Sequence, residues 1–203
     1  MSINVGIISY EAAGNLHSVR KAVLAAGASV IMVKNTDDLD QIDRLILPGV
    51  GSFRDAVDEL RHADLYESIQ EIIKKVPVLG ICLGMQILSK LGSECGSTSG
   101  FGVFDSTVSR ISSENRKIPH VGFNTVNVLN DDSGLFNGIE DNEFYFMHSY
   151  EVLTSSDILS KTTYMGHEFI SSMRKDRVFG VQFHPEKSRD AGIKLLRNFT
   201  NIS

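Results

Sequence analysis

The sequence predicts an α/β fold: a three-layer sandwich whose central sheet is mostly parallel, carries helices on both faces, and is extended by antiparallel strands. Three observations carry this reading. Short β-branched runs alternate with helical apolar spacing through the first half of the chain. The run Val78-Leu79-Gly80-Ile81 is apolar throughout, as a strand covered on both faces must be. The second half changes to closely spaced β-like pieces separated by turn residues.

Taken in order, Ile3 to Ser9 is a short β-branched strand. Gly14-Asn15 separates it from a helix with apolar residues at Leu16, Val19, Ala22, Val23 and Ala26. Gly27 closes that helix in the manner of a C-terminal glycine, Val30 to Val33 gives a second strand, and Arg44 to Leu47 gives a third that stops at Pro48-Gly49. Helical spacing returns at Phe53, Ala56, Val57 and Leu60, and again around Leu65, Ile69, Ile72 and Ile73. The buried strand at Val78 runs into a helix expected from Leu83 to Leu91. Beyond a Gly/Ser-rich loop from Gly92 to Gly102, strands are expected at Thr107 to Ile111, Thr125 to Leu129, Phe144 to Tyr150, Lys161 to Tyr164, Glu168 to Met173 and Val178 to Phe183. An amphipathic helix from Ala191 to Phe199 closes the chain. There is no repeat, low-complexity tract or linker, so residues 1–203 read as a single domain.

Composition narrows the function. A chain of 203 residues suits one sizeable α/β core, and 42% apolar with 22% charged residues sets aside disordered and fibrous classes. With 20 Lys+Arg against 25 Asp+Glu, the net charge of -5 argues against nucleic acid or an anionic membrane as the main partner. The longest nearly apolar stretch, Val76 to Leu88, is broken by Pro77, Gly80, Gly84 and Gln86 and falls short of the roughly 20 residues of a spanning helix. The first Lys or Arg is Arg20, so the opening run does not read as a secretory signal. The two cysteines, Cys82 and Cys95, form neither a disulfide framework nor a metal-ligand pattern. A cytoplasmic protein without metal or cofactor is the expectation.

The sharpest chemical signal is Gly80-Ile81-Cys82-Leu83-Gly84, a G-x-C-x-G where a buried strand turns into a helix. This is the nucleophile-elbow pattern with sulfur in place of oxygen, and a helix N-terminus beside the thiol favours its thiolate. Taken alone, Cys82 also fits a small buried core residue. A thiolate nucleophile needs a base, and Gly180-Val181-Gln182-Phe183-His184-Pro185-Glu186 supplies one at a strand end. His184 and Glu186 are two apart and project to one side of an extended chain, which sets a carboxylate beside an imidazole. Pro48-Gly49-Val50-Gly51-Ser52-Phe53 follows the third strand, and its two glycines permit torsions that turn peptide N–H groups toward a substrate oxyanion. It lacks the endings of a phosphate-binding P-loop or a dinucleotide fingerprint.

These segments, together with Ile118-Pro119-His120-Val121-Gly122-Phe123-Asn124, Phe144-Tyr145-Phe146-Met147-His148-Ser149-Tyr150 and Gln182-Phe183-His184-Pro185-Glu186-Lys187-Ser188, resemble in order the signature blocks of a family. It is the glutaminase subunit of imidazole glycerol phosphate synthase, a class I (triad) glutamine amidotransferase of flavodoxin-like fold. The resemblance implies that Cys82 attacks the side-chain amide of L-glutamine, His184 relays the proton and Glu186 orients His184. It implies an oxyanion hole from the backbone of Leu83 and of Gly49, Val50 and Gly51. It places Gly51, Gln86, Ser149, Tyr150 and Ser188 around the glutamine, and Asn15, Phe123, Tyr145, His148 and Lys187 against a (β/α)8-barrel cyclase partner in a heterodimer. The ammonia passes to a phosphorylated ribulosyl intermediate on that partner, giving imidazole glycerol phosphate and aminoimidazole carboxamide ribotide in histidine biosynthesis.

Phe123 stands where the family commonly has tryptophan, and Tyr164 to Phe169 is longer than the usual turn. A paralogue supplying ammonia to a sugar amidotransferase of surface-polysaccharide synthesis therefore stays open. So do a thiol hydrolase or peptidase-like protein and an inactive regulatory binding subunit. Among the other polar residues, His17 and His62 read as solvated or capping, His120 as structural or interfacial, His167 as a turn residue, and Cys95 as an unreactive thiol.

Overall fold

The computed structural model describes residues 2–10, 13–94, 96–114 and 116–202, so the reading of Cys95 lies outside the described residues. The chain opens with β1 (Asn4–Ile8), α1 (Leu16–Ala25), β2 (Ser29–Val33) and β3 (Arg44–Leu47). The Asn15 side chain accepts from the Ser18 N–H and so caps α1, meeting one of the donors left open at a helix start. The Ser52 hydroxyl does the same through the Asp55 N–H for α2 (Phe53–His62). Then come α3 (Tyr66–Ile72), β4 (Val78–Ile81), α4 (Leu83–Ile87), β5 (Ser89–Gly92), β6 (Thr98–Ser99) and β7 (Phe104–Arg110). The last third holds β8 (His120–Thr125), β9 (Asn127–Val128), β10 (Glu143–His148), β11 (Tyr150–Val152), β12 (Ile158–Tyr164), β13 (His167–Lys175), β14 (Val178–Val181) and α5 (Arg189–Asn201).

Among the described residues, eight strands form one sheet in the order β2-β1-β3-β4-β14-β13-β12-β9. The first five are mutually parallel, and β13, β12 and β9 join antiparallel at the far side. Alternation along each strand sends side chains to two helical layers. On one face Val5, Ile7, Ile46, Leu79 and Val181 pack with Val19 and Val23 of α1 and Leu195, Leu196 and Phe199 of α5. On the other, Ile8, Leu45, Leu47 and Val78 pack with Phe53, Val57 and Leu60 of α2 and Ile69 of α3. Each such fully buried side chain contributes about 1.5–3 kcal/mol, so these two layers hold the sheet and fix the ends of its strands.

Two expectations are corrected. The helix after Cys82 does not reach Leu91: α4 ends at Ile87 and the chain enters β5 at Ser89. The carbonyl of Ile87 accepts from Phe101 N–H at 2.8 Å, and that of Leu88 from Val103 and Phe104, so the partners that would continue the helix are captured by the following loop. Nor do all the later strands join the main sheet. β11, β7, β5 and β6 form a separate four-stranded sheet, and β8 with β10 forms a two-stranded ribbon. The ribbon is held by its inner residues Phe144 and Phe146, which pack on Phe183 in the sheet-facing core.

Candidate active site

Parallel pairing of β4 with β14 sets Ile81 beside Val181, so the residues that follow each strand emerge together at the carboxyl end of the sheet. Cys82 N–H donates to Val181 O at 2.8 Å. Cys82 is a sharp elbow, with φ 54° and ψ -109°, a left-handed backbone that costs a non-glycine residue about 1–3 kcal/mol. The elbow is possible because α4 sits directly on the sheet: a Cβ on Gly84 would lie 1.7 Å from the Leu47 carbonyl oxygen. The thiol is buried, 3.8 Å from Met147 O, and the Gln182 amide nitrogen donates toward the sulfur at 3.6 Å.

His184 stands just past β14, with its N–H bonded to Tyr145 O of the ribbon at 2.8 Å. Its Nδ1 lies 2.8 Å from Glu186 Oε1, and both side chains are 3% exposed. Nε2 is buried, and with Nδ1 on Glu186 it is the ring nitrogen left to interact with the Cys82 sulfur. Burial works against a charge on His184, but the Cys82 sulfur and the Glu186 carboxylate outweigh it and raise the imidazole from 6.5 to about 10. The arrangement thus favours an imidazolium between the Cys82 sulfur and the Glu186 carboxylate.

A cleft of about 300 Å³ opens over the sulfur, lined by Val50, Gly51, Cys82, Leu83, Gln86, Glu94, Pro119, Met147, His148, Ser149 and Tyr150. A wider hollow of about 440 Å³ between Gly138 to Asp141 and α5 carries none of these groups. The Pro48-Gly49-Val50-Gly51 loop is held at the cleft mouth by the Tyr10 hydroxyl, which donates to Pro48 O at 2.8 Å, and Gly51 adopts φ 102°. Burial, with Glu59 and Cys82 nearby, raises the Tyr10 phenol above its usual range, so it remains a donor.

The structure therefore brings Cys82, His184, Glu186, Val50, Gly51, Leu83, Gln86, Ser149 and Tyr150 to one place. Gly49 packs behind them, its Cβ position 2.9 Å from Leu83 Cβ. Ser188 does not join them. The residue is 1% exposed, and its hydroxyl donates to His184 O at 2.6 Å and accepts from Tyr145 N–H at 2.9 Å, so it clamps the His184 turn to the ribbon. His148, which the resemblance sets toward the partner, is 5% exposed and lines the cleft. Its Nδ1 bonds Tyr150 O at 2.8 Å and its Nε2 meets His120 Nδ1 at 3.1 Å. Burial depresses His120 to about 4. His148 falls to about 3 through burial, against the Tyr150 bond and with His120 and His184 adding to the effect.

Phe123, Tyr145 and Lys187 form an outer patch: the two rings meet edge to face at 5.5 Å and Lys187 Nζ lies 5.5 Å from the Tyr145 ring. Arg189, which the sequence did not single out, covers Phe123 at 4.5 Å. Asn15 is exposed and caps α1. Gln182 and Glu94 were also missed. Gln182 was legible only as a polar residue in an otherwise apolar strand end, and Glu94 falls in a loop with no pattern, where it accepts from Phe53 N–H at 2.8 Å. His167 opens β13 and bonds Glu151 at 2.8 Å.

The chain belongs to the class-I glutamine amidotransferase family, whose model matches residues 10–202. Among its relatives is the imidazole glycerol phosphate synthase subunit HisH 1 of Campylobacter jejuni subsp. jejuni serotype O:23/36 (strain 81-176). It is 42% identical over 202 residues, covering 98% of this chain and 100% of that one. The corresponding HisH subunit of Methanocaldococcus jannaschii is 44% identical over 200 residues, covering 98% and 99%. In fold the chain is similar to the structure of PurLQS from Thermotoga maritima, with a TM-score of 0.78 at 20% identity, covering 99% of each chain. Among the described residues, no helix is long and apolar enough to cross a membrane.

Proposed function

We propose that the chain is one glutamine amidotransferase domain, the glutaminase subunit of an imidazole glycerol phosphate synthase serving histidine biosynthesis, and that Cys82, His184 and Glu186 form its triad. The Cys82 thiolate adds to the side-chain carbonyl carbon of glutamine. The oxygen takes up the negative charge against backbone amides of Leu83 and the Gly49 to Gly51 loop. As the C–N bond breaks, the His184 imidazolium gives its proton to the leaving nitrogen, releasing ammonia and a thioester. Neutral His184 then takes a proton from water as the water attacks the thioester. Glutamate departs, and sulfur and imidazolium are restored. Glu186 keeps Nδ1 engaged so that Nε2 faces the chemistry.

Ammonia that escapes to neutral water becomes ammonium, which has no lone pair to attack with, so a product of this kind must pass directly to an acceptor site. The proposed acceptor is bound on a (β/α)8-barrel cyclase, docked in a heterodimer against the face bearing Asn15, Phe123, Tyr145, Lys187 and Arg189. The observation that carries the reading is the buried His184–Glu186 pair set beside Cys82 at the ends of adjacent strands. In the assembled complex, Cys82→Ala is expected to abolish glutamate release, and a glutamine-mimicking diazo-ketone is expected to add its mass to Cys82 of the wild type. Retained turnover in the variant, or no adduct at Cys82, overturns the reading.

A further inference from the structure

Two buried histidines lie outside the triad, and their surroundings dictate their protons. His148 Nδ1 faces Tyr150 O at 2.8 Å, and a carbonyl only accepts, so Nδ1 carries the hydrogen. In a neutral ring Nε2 is then an acceptor, and the atom facing it at 3.1 Å, His120 Nδ1, must donate. His120 Nε2 becomes an acceptor in turn, and the Asn124 amide nitrogen approaches it at 3.4 Å while also donating to Thr163 O at 2.9 Å. Every donor in the series meets an acceptor. A proton added to either ring would turn an N–H against another N–H.

The series continues past Tyr150. That carbonyl also accepts from the Gln86 amide at 3.1 Å, the same Gln86 nitrogen donates to Gln182 Oε1 at 3.0 Å, and Gln182 Nε2 donates toward Cys82 Sγ at 3.6 Å. At its outer end, the two histidines are a cross-strand pair of the β8–β10 ribbon, in register with the Phe123–Tyr145 pair of the outer patch. His120 is fixed by stacking between Phe146, at 4.8 Å, and Tyr164, at 4.0 Å. The charged group that bears on the pair is His184, which acts on His148.

We propose that His120 and His148 form a relay of two neutral imidazoles through which the β8–β10 ribbon positions Gln86 and Gln182 against the Cys82 sulfur. Both are positioning residues, since neither needs to touch the reacting atoms. The inference rests on the proposed glutaminase reading for its consequence in turnover, but its geometry stands on the hydrogen bonds alone.

The test compares three full-length chains, each with its synthase partner. His120→Phe keeps the ring stack and removes the donor, whereas His120→Asn restores an N–H near the Nδ1 position. His120→Phe is expected to lower kcat for glutamine about tenfold, the effect of one lost hydrogen bond. It is also expected to shift the pH profile of Cys82 alkylation by iodoacetamide to higher pH, because Gln182 no longer faces the sulfur anion, and His120→Asn should recover both. Unchanged kcat and profile in His120→Phe, or no recovery in His120→Asn, overturns the relay. Long-range nitrogen–proton NMR of the wild type supplies a reading even if the phenylalanine variant does not fold. Nδ1–H on both rings is expected near neutral pH, and Nε2–H on either ring rejects the proposal. Alkylation and tautomer are read without glutamine, so absence of glutaminase activity in the wild type would be seen separately.

Discussion

Glu186 Oε1 and His184 Nδ1 are 2.8 Å apart with both side chains 3% exposed, and this contact selects Nε2 as the nitrogen that meets Cys82. Because the folded-state imidazole is raised from 6.5 to about 10, its charge adds stability that is full below 6.5 and is lost as pH rises through about 10. Glu186→Gln removes part of that support. The variant is expected to lose about a hundredfold or more in kcat. Its stability deficit, from denaturant titrations across this range, is expected to be largest below 6.5 and to shrink toward pH 10. A deficit independent of pH would show that the pair does not act through the charge on His184.

The backbone at Cys82, with φ 54°, inverts the usual order of small residues. Alanine ordinarily stabilises relative to glycine by restricting the unfolded chain, but alanine keeps the elbow's strain and glycine relieves it. Cys82→Gly is therefore expected to be more stable than Cys82→Ala by about 1 kcal/mol, with both inactive. Equal or reversed midpoints in urea would show that the elbow stores no strain.

Gly84 touches the sheet more closely than any side chain permits. With a Cβ only 1.7 Å from Leu47 O, Gly84→Ala must push α4 off β3 or bend the strand. A loss of about 3 kcal/mol or more is expected, together with a fall in Cys82 alkylation as the elbow moves. A variant of wild-type stability would mean that the helix shifts freely on the sheet.

Arg189 packs its guanidinium 4.5 Å from the Phe123 ring, presenting a positive, half-aromatic surface beside Lys187 and Tyr145. If this face receives the cyclase, Arg189→Glu reverses the sign at its centre and is expected to weaken association about tenfold or more, as measured by calorimetry. Unchanged affinity would move the docking face elsewhere.

The parallel half of the fold was legible because its information is local: β-branched runs, helical apolar spacing, and the glycines that bracket Cys82 each act within a few residues. The limits of α4 were not legible, since the carbonyls of Ile87 and Leu88 are taken by Phe101, Val103 and Phe104, residues whose proximity no periodicity displays. Strand partners posed the same difficulty. The alternation at Phe144 to His148 marks a strand but does not say that it pairs with β8 in a ribbon of its own. Ser188 and His148 were assigned through resemblance alone, because their bonds to His184 O and to His120 and Tyr150 join residues that no spacing in the sequence brings together. Gln182 was passed over because one polar residue in an apolar run carries no spacing to read.

The strand that leads into His184 enters the sheet between β4 and β13, and Gln182 just past it lies 100 residues after Cys82. During translation, a nascent chain that stops short of β14 holds Cys82 without His184. If Cys82 and His184 act together as proposed, a fragment released before residue 184 cannot hydrolyse glutamine.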